Sequence, residues 1–503
     1  MCCRRMQRDI RFMPFSKKIR IDYFKKTLTF LVLLPILASA AGNSELPDFG
    51  DSAGSVVSPE FERRLGKIFL NQIRHFEEVV SDPEIESYIQ SIGYQLASHS
   101  DNTERSFTFF VVKNPGINAF AGPGGVIGIN SGVILSSSNE SELAAVMAHE
   151  IAHVTQRHLA RMFEQSSLLS TPTAVAMAAA IVVAVINPQA GVAALTGISG
   201  LSTQNKINFT RANEEEADRV GIQTLARADF NPRGMPAFFE TLQRISRYSQ
   251  SAAPEFLRSH PLTTSRISDS IARAESYPEK TFTNTHTYEL IRYKLLAGSF
   301  ESASKATAQL RDELNKHEGS AKEKLPVRYG LAYAYILDND FKRAKRQVDI
   351  LLKDNPDHAA YLLLAAKLHT TQSHYDAAFK IYKKAYELYP DYKPVMMAYS
   401  RALLDVKKAK EARDLLKKYE RFYTHDLNTY SLLGQAEAML GNEIETAFIQ
   451  AEYYYLAANT QLAIDKLKFI KQRYKLDYYQ EQRATARMTE YEYELALEKR
   501  LEL

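Results

Sequence analysis

The sequence predicts a mainly α protein, in which an α+β domain with a small β-sheet precedes an α-solenoid of helical repeats. Residues 106–130 contain β-branched and aromatic stretches separated by turn residues, and a helical apolar pattern follows them. Beyond about Thr285 the composition shifts to Ala, Leu, Lys, Glu and Tyr, with a 34-residue period. A chain of 503 residues is too long for one ordinary core. We therefore expect domains at 41–280 and 285–503 behind a leader at 1–40.

The first 40 residues have the pattern of a secretory signal peptide. A basic run precedes the apolar block Leu28–Leu37 and the small residues Ala38-Ser39-Ala40, which predicts cleavage after about Ala40. An uncleaved anchor is the alternative, although the block is shorter than the ~20 apolar residues of a membrane span. Cleavage predicts export.

The charge and the cysteine content limit the functions that the mature chain can have. The leader holds nine Lys/Arg and two Asp/Glu, a net +7, so its removal lowers the net charge from +4 to −3. No basic stripe then remains to indicate nucleic-acid binding. Both cysteines, Cys2 and Cys3, leave with the leader, so a metal site must use histidine and carboxylates.

Turn and cap residues place the elements before the central motif. Helices are predicted to begin at Pro59 and Pro83, because each proline follows a Ser or Asp N-cap. Residues 106–112 predict a strand, and a glycine-rich passage at 120–125 leads to a second strand at Val126–Asn130. A phosphate-binding loop is the alternative for that passage, but no Lys-Ser/Thr follows it.

The central motif is His-Glu-Ile-Ala-His at 149–153, on a helix predicted to run from near Asn139 to about Phe163. His149 and His153 stand at i and i+4, so both imidazoles can reach one metal ion, with Glu150 beside it. Burying these polar groups in an apolar helix is costly without a partner, and a metal supplies one. The arrangement is typical of zinc proteases.

A catalytic zinc site needs a third protein ligand and an open position. The metzincin pattern would place glycine and histidine three and six residues after His153, but Gln and Leu stand there. A later predicted helix, 211–226, offers Glu214 and Asp218 on one face. Glu214 can ligate the metal, and Asp218 can accept a hydrogen bond from a ligand imidazole. The two glutamates after Glu214 are interpreted as solvated surface.

An almost wholly apolar segment spans 174–201, interrupted at Asn187-Pro188. Its first half, Ala174–Ile186, is too short to span a bilayer, and we interpret the segment as a buried helical hairpin. The alternatives are a lid that dips into the membrane or gates substrate, giving peripheral membrane contact, and an integral membrane protease.

The C-terminal half predicts tetratricopeptide repeats. Ala344, Ala378 and Ala412 are spaced by 34 residues, and so are Pro356 and Pro390. We expect four or more helix pairs, stacked so that a concave surface binds extended peptide or another protein.

These motifs together resemble the bacterial β-barrel assembly-enhancing proteases. The resemblance rests on the motif at 149–153, Glu-Glu-Glu-Ala-Asp-Arg at 214–219, Ser-His-Pro at 259–261 and the repeats behind a signal peptide. It covers nearly the whole mature chain and implies a periplasmic gluzincin-type zinc metalloprotease domain joined to tetratricopeptide repeats. The implied partners are unfolded or misassembled outer-membrane barrel proteins, the barrel-assembly machinery and the lipopolysaccharide-export barrel.

The resemblance also implies roles for individual residues. His149, His153 and Glu214 become ligands of one Zn²⁺, and Glu150 becomes the general base. His260 would lie at the metal, either filling the fourth position and keeping the enzyme latent or stabilising the oxyanion.

Substrate binding is implied in the same way. The strand Val126, Ile127, Gly128, Ile129 and Asn130 would be an edge strand that pairs with extended substrate. Arg266 is expected to help stabilise charge. A different class of function stays open: a periplasmic chaperone or adaptor whose repeats bind clients, with proteolysis latent or conditional.

Overall fold

The computed structural model describes residues 59–102, 106–165, 203–248, 254–420 and 426–501. The expected signal peptide and the apolar segment 174–201 lie outside these residues. Within them, no helix is both long enough and apolar enough to cross a bilayer.

The N-terminal region has nine helices and three strands among the described residues. In chain order they are α1 (Pro59–Phe76), α2 (Pro83–Ser98), β1 (Thr108–Val112), β2 (Ala119–Gly122), β3 (Val126–Asn130), α3 (Ser131–Ser136), α4 (Glu140–Thr155), α5 (His158–Gln165), α6 (Thr203–Arg227), α7 (Gly234–Tyr248), α8 (Phe256–Ser259) and α9 (Thr264–Glu275). Helix α2 begins where predicted, because the Asp82 carboxylate accepts hydrogen bonds from the backbone N–H groups of Glu84 and Ile85. The mainly helical fold with a small sheet is confirmed.

The sheet order corrects the expectation for Val126–Asn130. Strand β3 lies in the centre, parallel to β1 and antiparallel to β2, and all five of its residues are buried. Its backbone is paired on both sides, at Gly128 with Phe110 and with Phe120. The apolar run that marks this strand is therefore typical of a central strand rather than an edge. The two edge positions belong to β1 and β2.

The motif helix α4 runs through the core of the N-terminal region. It is capped as its sequence suggests, since the Asn139 side chain accepts from the Glu142 backbone N–H at 3.0 Å. The expected continuation to Phe163 is wrong: the helix ends at Thr155, and Arg157 adopts a left-handed φ of 55°. An L residue at positive φ interrupts a right-handed helix. The chain then restarts as α5 with His158 turned back towards α4.

The C-terminal region is a stack of helix pairs. The pairs are α10 (His286–Ser299) with α11 (Ala303–Lys316), α12 (Leu325–Leu337) with α13 (Phe341–Asp354), α14 (Ala359–Thr371) with α15 (Tyr375–Leu388), α16 (Lys393–Asp405) with α17 (Ala409–Glu420), α18 (Leu427–Met439) with α19 (Glu443–Leu456), and α20 (Thr460–Arg473) with α21 (Tyr478–Leu501). The periodic alanines Ala344, Ala378 and Ala412 are fully buried. They allow neighbouring helices to approach closely, as the 34-residue period predicts.

The two regions share core and polar contacts at their junction. Tyr288, Ile291 and Leu295 of α10 belong to the same hydrophobic cluster as the motif helix. In the same helix the Lys294 ammonium is buried and contacts the carboxylates of Asp82, at 2.7 Å, and Glu84. The hydrophobic core thus continues across the expected domain boundary at 280–285, which stays a prediction.

The start of the first repeat is tied to the N-terminus of α4. The buried carboxylate of Glu140, the first residue of that helix, accepts from the backbone N–H of Thr285 at 2.9 Å and from its hydroxyl at 2.7 Å. The Tyr88 hydroxyl donates to the same carboxylate at 2.8 Å. The Glu140 backbone N–H donates to the side chain of Asn284 at 2.9 Å. The segment between the two regions is therefore held to the motif helix by three hydrogen bonds, two from Thr285 and one to Asn284.

Candidate metal centre

Four side chains from three parts of the chain converge on one point. His149 and His153 come from α4, Glu214 from α6 and His260 from the residue after α8. Each offers one donor atom, and these atoms lie within 4.8 Å of one another. Among the residues the structure describes, this is the group of histidines and carboxylates arranged to hold a metal ion.

The distances within the cluster fit shared coordination. Nε2 of His149 lies 3.0 Å from Nε2 of His153 and 3.4 Å from the Glu214 carboxylate. Nδ1 of His260 lies 3.1 Å from both Glu214 oxygens. Imidazole and carboxylate donors without thiolate suit a divalent transition metal.

The pKa values of the clustered side chains show how burial and neighbouring charges act on them. Burial disfavours charge on His149, yet the carboxylates of Asp218 and Glu214 outweigh it and raise the pKa of His149 to about 10. Burial holds the pKa of neighbouring His153 well below its usual range. Glu214 is buried as well, but the surrounding imidazoles hold its pKa well below normal. An anionic carboxylate among imidazoles is the charge state that a metal cation requires.

Glu150 lies beside the cluster but outside it. Its Oε1 atom is buried and makes no hydrogen bond to any described residue, and Nε2 of His260 is 3.5 Å away. The backbone N–H of Ala121 hydrogen-bonds to the same carboxylate, while burial raises the pKa of Glu150 overall. A buried carboxylate of raised pKa with one unused oxygen is suited to accepting a proton.

A cavity of about 280 Å³ opens at the cluster. Its lining includes Glu150, His153 and His260 and, from the edge strand β2, residues 119–122. The strand predicted to face substrate, Val126–Asn130, is covered by β2 and does not line this cavity. Strand β2 is the strand of the sheet whose residues line this cavity.

A carboxylate and an arginine support His149 from behind. Nδ1 of His149 lies 3.0 Å from the Asp218 carboxylate, as the sequence predicts for a residue sharing the face of Glu214. Arg266 is almost fully buried and donates two hydrogen bonds to Asp218, at 2.7 and 2.8 Å. Arg266 also contacts the Glu214 carboxylate, at 2.9 Å. Arg266 is thus committed to holding two carboxylates rather than facing the cavity.

Two residues near the cluster were missed by the sequence reasoning. His158 is buried, and its Nδ1 lies 2.8 Å from Nδ1 of His153. Its other nitrogen lies 3.1 Å from Glu216, which Arg161 also contacts at 2.6 Å. The interpretation of Glu216 as solvated surface is therefore wrong. On an unbroken helix, a residue five positions after His153 would point about 140° away from it, so the pattern carried no signal.

Comparison with known proteins agrees with this geometry. Residues 83–273 match Peptidase family M48, and residues 370–436 match the Tetratricopeptide repeat family. The fold and the site therefore define a metalloprotease with helical repeats, and the family implies a bound metal. Burial, donor types and mutual distances of the four side chains fit such an ion.

Similarity to individual proteins shows which family of metalloproteases the chain belongs to. The chain is 36% identical over 473 residues to the beta-barrel assembly-enhancing protease of Escherichia coli (strain K12), covering 94% of this chain and 96% of that protein. It is 35% identical to the putative beta-barrel assembly-enhancing protease of Vibrio cholerae serotype O1, covering 87% and 90%. The mitochondrial metalloendopeptidase OMA1 of Schizosaccharomyces pombe is 26% identical, over 42% of this chain and 60% of its own. The chain belongs to the family of beta-barrel assembly-enhancing proteases.

Proposed function

We propose that the protein is a zinc-dependent endopeptidase of the periplasm that degrades misfolded or stalled outer-membrane proteins and assists barrel assembly. The observation that carries this proposal is the buried cluster of His149, His153 and Glu214 with Glu150 beside it. The names of the relatives support barrel assembly as the setting, and the signal-peptide pattern at 1–40 supports export. The barrel-assembly machinery and the lipopolysaccharide-export barrel are the partners we propose.

In the proposed mechanism, His149, His153 and Glu214 would hold the ion. Bound zinc would polarise the scissile carbonyl and acidify a water molecule. Glu150 would take a proton from a water molecule in the cavity through its unused oxygen and deliver it to the leaving amine. Asp218 and Arg266 keep His149 and Glu214 oriented. The reaction is peptide-bond hydrolysis without a covalent intermediate.

Substrate recognition is proposed to use the backbone of β2. An extended segment lying along this edge would form main-chain hydrogen bonds beside Glu150, and these give affinity with little side-chain selectivity. Low side-chain selectivity suits unfolded clients. In a folded barrel the extended strands are already paired with each other and are not free to pair with β2.

Metal removal tests the proposed enzyme directly. We expect protein treated with EDTA to lose cleavage of an unfolded outer-membrane barrel protein, since no group in the cavity replaces the Lewis acid. One equivalent of Zn²⁺ should restore the activity, and Mg²⁺, which prefers oxygen ligands, should not. Cleavage that persists after complete removal of metal, measured by loss of full-length substrate, would refute the proposal.

We propose that His260 keeps the enzyme latent. Its position within the four-residue cluster supports this role, because its imidazole would supply a fourth donor to a bound ion and would keep water away until substrate or a partner displaced it. The imidazole is stacked on Phe256, with ring centroids 4.6 Å apart, so it is held in the cavity by packing as well.

The His260→Ala variant separates the two roles considered for this residue. Latency predicts faster cleavage of the unfolded barrel protein than by the unmodified protein. Stabilisation of the oxyanion predicts a fall of about 10²-fold in kcat. Equal rates would remove His260 from both roles.

A binding role is the second candidate function. A cavity of about 570 Å³ is lined by residues 78–84 and by helices of the repeats, and this cavity supports a site for a client or partner. On this view the repeats act as a chaperone or adaptor and proteolysis is conditional.

A further inference from the structure

Both histidines of the motif helix are supported from behind, but by different devices. His149 rests on one carboxylate, Asp218, which Arg266 holds in place. Among the described residues, no carboxylate contacts His153 on that side. Its Nδ1 faces a second imidazole, that of His158, at 2.8 Å. Only 5% of the His158 surface is exposed.

The hydrogen-bond donors along this contact can be assigned by elimination. Nε2 of His153 faces the cluster, at 3.4 Å from Glu214, and must carry its lone pair there to bind a metal. The proton of the neutral ring is then on Nδ1, which donates to Nδ1 of His158. That atom must be an acceptor, so the proton of the second ring is on Nε2. Nε2 in turn donates to Glu216, at 3.1 Å.

The far end of the chain of hydrogen bonds is anchored. The Oε2 atom of Glu216 that accepts from His158 also accepts from Arg161, at 2.6 Å. An ionised carboxylate held by a guanidinium is a fixed acceptor. The break at Arg157 is what brings α5 back so that His158 and Arg161 reach this point.

We propose that His158, with Glu216 as its anchor, is a positioning residue that fixes the tautomer and ring orientation of His153 for metal binding. The proposal rests on the proposed metal site. It explains why a buried imidazole that does not enter the cluster lies in hydrogen-bond contact with a ligand. Glu216→Ala removes only the anchor, whereas His158→Ala removes the whole support.

The test is the affinity of the purified full-length mature protein for Zn²⁺, measured by competition with a chromophoric chelator. We expect His158→Ala to weaken binding by about 10–100-fold and Glu216→Ala to weaken it less. His158→Gln should retain most of the affinity, because a carboxamide can accept from His153 and donate to Glu216. Glu215→Ala, which removes the neighbouring carboxylate on the same helix, should leave the affinity unchanged.

The outcomes distinguish this inference from the proposed function. Unchanged affinity in both His158→Ala and Glu216→Ala, with zinc binding intact in the unmodified protein, overturns the positioning role. A higher zinc affinity in His158→Ala, without the same increase in His158→Gln, also overturns the positioning role. Failure of the unmodified protein to bind zinc overturns the proposed function itself. If His158→Ala does not fold, as judged by circular dichroism, Glu216→Ala against Glu215→Ala decides the question.

Discussion

Substitution of Glu150 by glutamine is expected to lower the rate of peptide cleavage by about 10²–10⁴-fold, the range that general acid–base catalysis contributes. The amide is nearly the same size but cannot take a proton from water at neutral pH. Because Glu150 lies beside the metal cluster rather than in it, zinc affinity should stay within about twofold of the unmodified protein, well below the 10–100-fold that loss of a supporting group costs. The measurement is kcat on an unfolded barrel protein, with a chelator competition for zinc.

The paired measurements make this prediction specific. Loss of both cleavage and zinc binding in Glu150→Gln would mean that the residue holds the metal or the fold, contrary to the proposed role. Retained cleavage would mean that another group acts as the base. In cells lacking the protein, full rescue of every defect by Glu150→Gln would favour the chaperone or adaptor function over proteolysis.

Replacement of Lys294 by methionine is expected to destabilise the protein by about 3–5 kcal/mol, the cost of leaving a buried charge without its partner. The Lys294 side chain is 6% exposed and contacts both Asp82 and Glu84. The Tyr329 hydroxyl donates to the Glu84 carboxylate at 3.2 Å, but one neutral hydroxyl does not replace a cation. The free energy of unfolding from urea denaturation measures the loss.

Two further variants test the cause of that loss. Lys294→Met combined with Glu84→Leu should recover much of the stability, because the second change removes the carboxylate left buried. Lys305→Met removes an exposed ion pair with Glu301 and should cost no more than about 1 kcal/mol. Equal stabilities of Lys294→Met and Lys305→Met would contradict the argument from burial.

Local spacing explains which parts of the site could be predicted. His149 and His153 share a helical face by their separation alone, and Glu214 and Asp218 do the same on α6. The structure brings all four together, with His260, although Glu214 is 61 residues from His153 and nothing in its spacing required this. The pairing of the two segments came from the need for a third zinc ligand and from resemblance, not from periodicity.

The incorrect predictions concern features that local hydrophobic periodicity does not report. The order of strands depends on how the chain folds back after β1, and the short segment at 119–122 took the edge that Val126–Asn130 was expected to hold. The break at Arg157 depends on a single backbone angle, which helical periodicity does not report. Glu216 looked like surface because its partners, His158 and Arg161, lie beyond that break.

The hydrogen bonds of Glu140 change how recruitment by the repeats can be understood. A flexible tether would only raise the local concentration of a client near the cavity. Here the residues that begin the first repeat also hold the first turn of the helix that carries two of the proposed metal ligands. The start of the first repeat is thus hydrogen-bonded to the motif helix itself. If the repeats bind a client as proposed, the client would be held in a fixed orientation to the helix that carries His149 and His153.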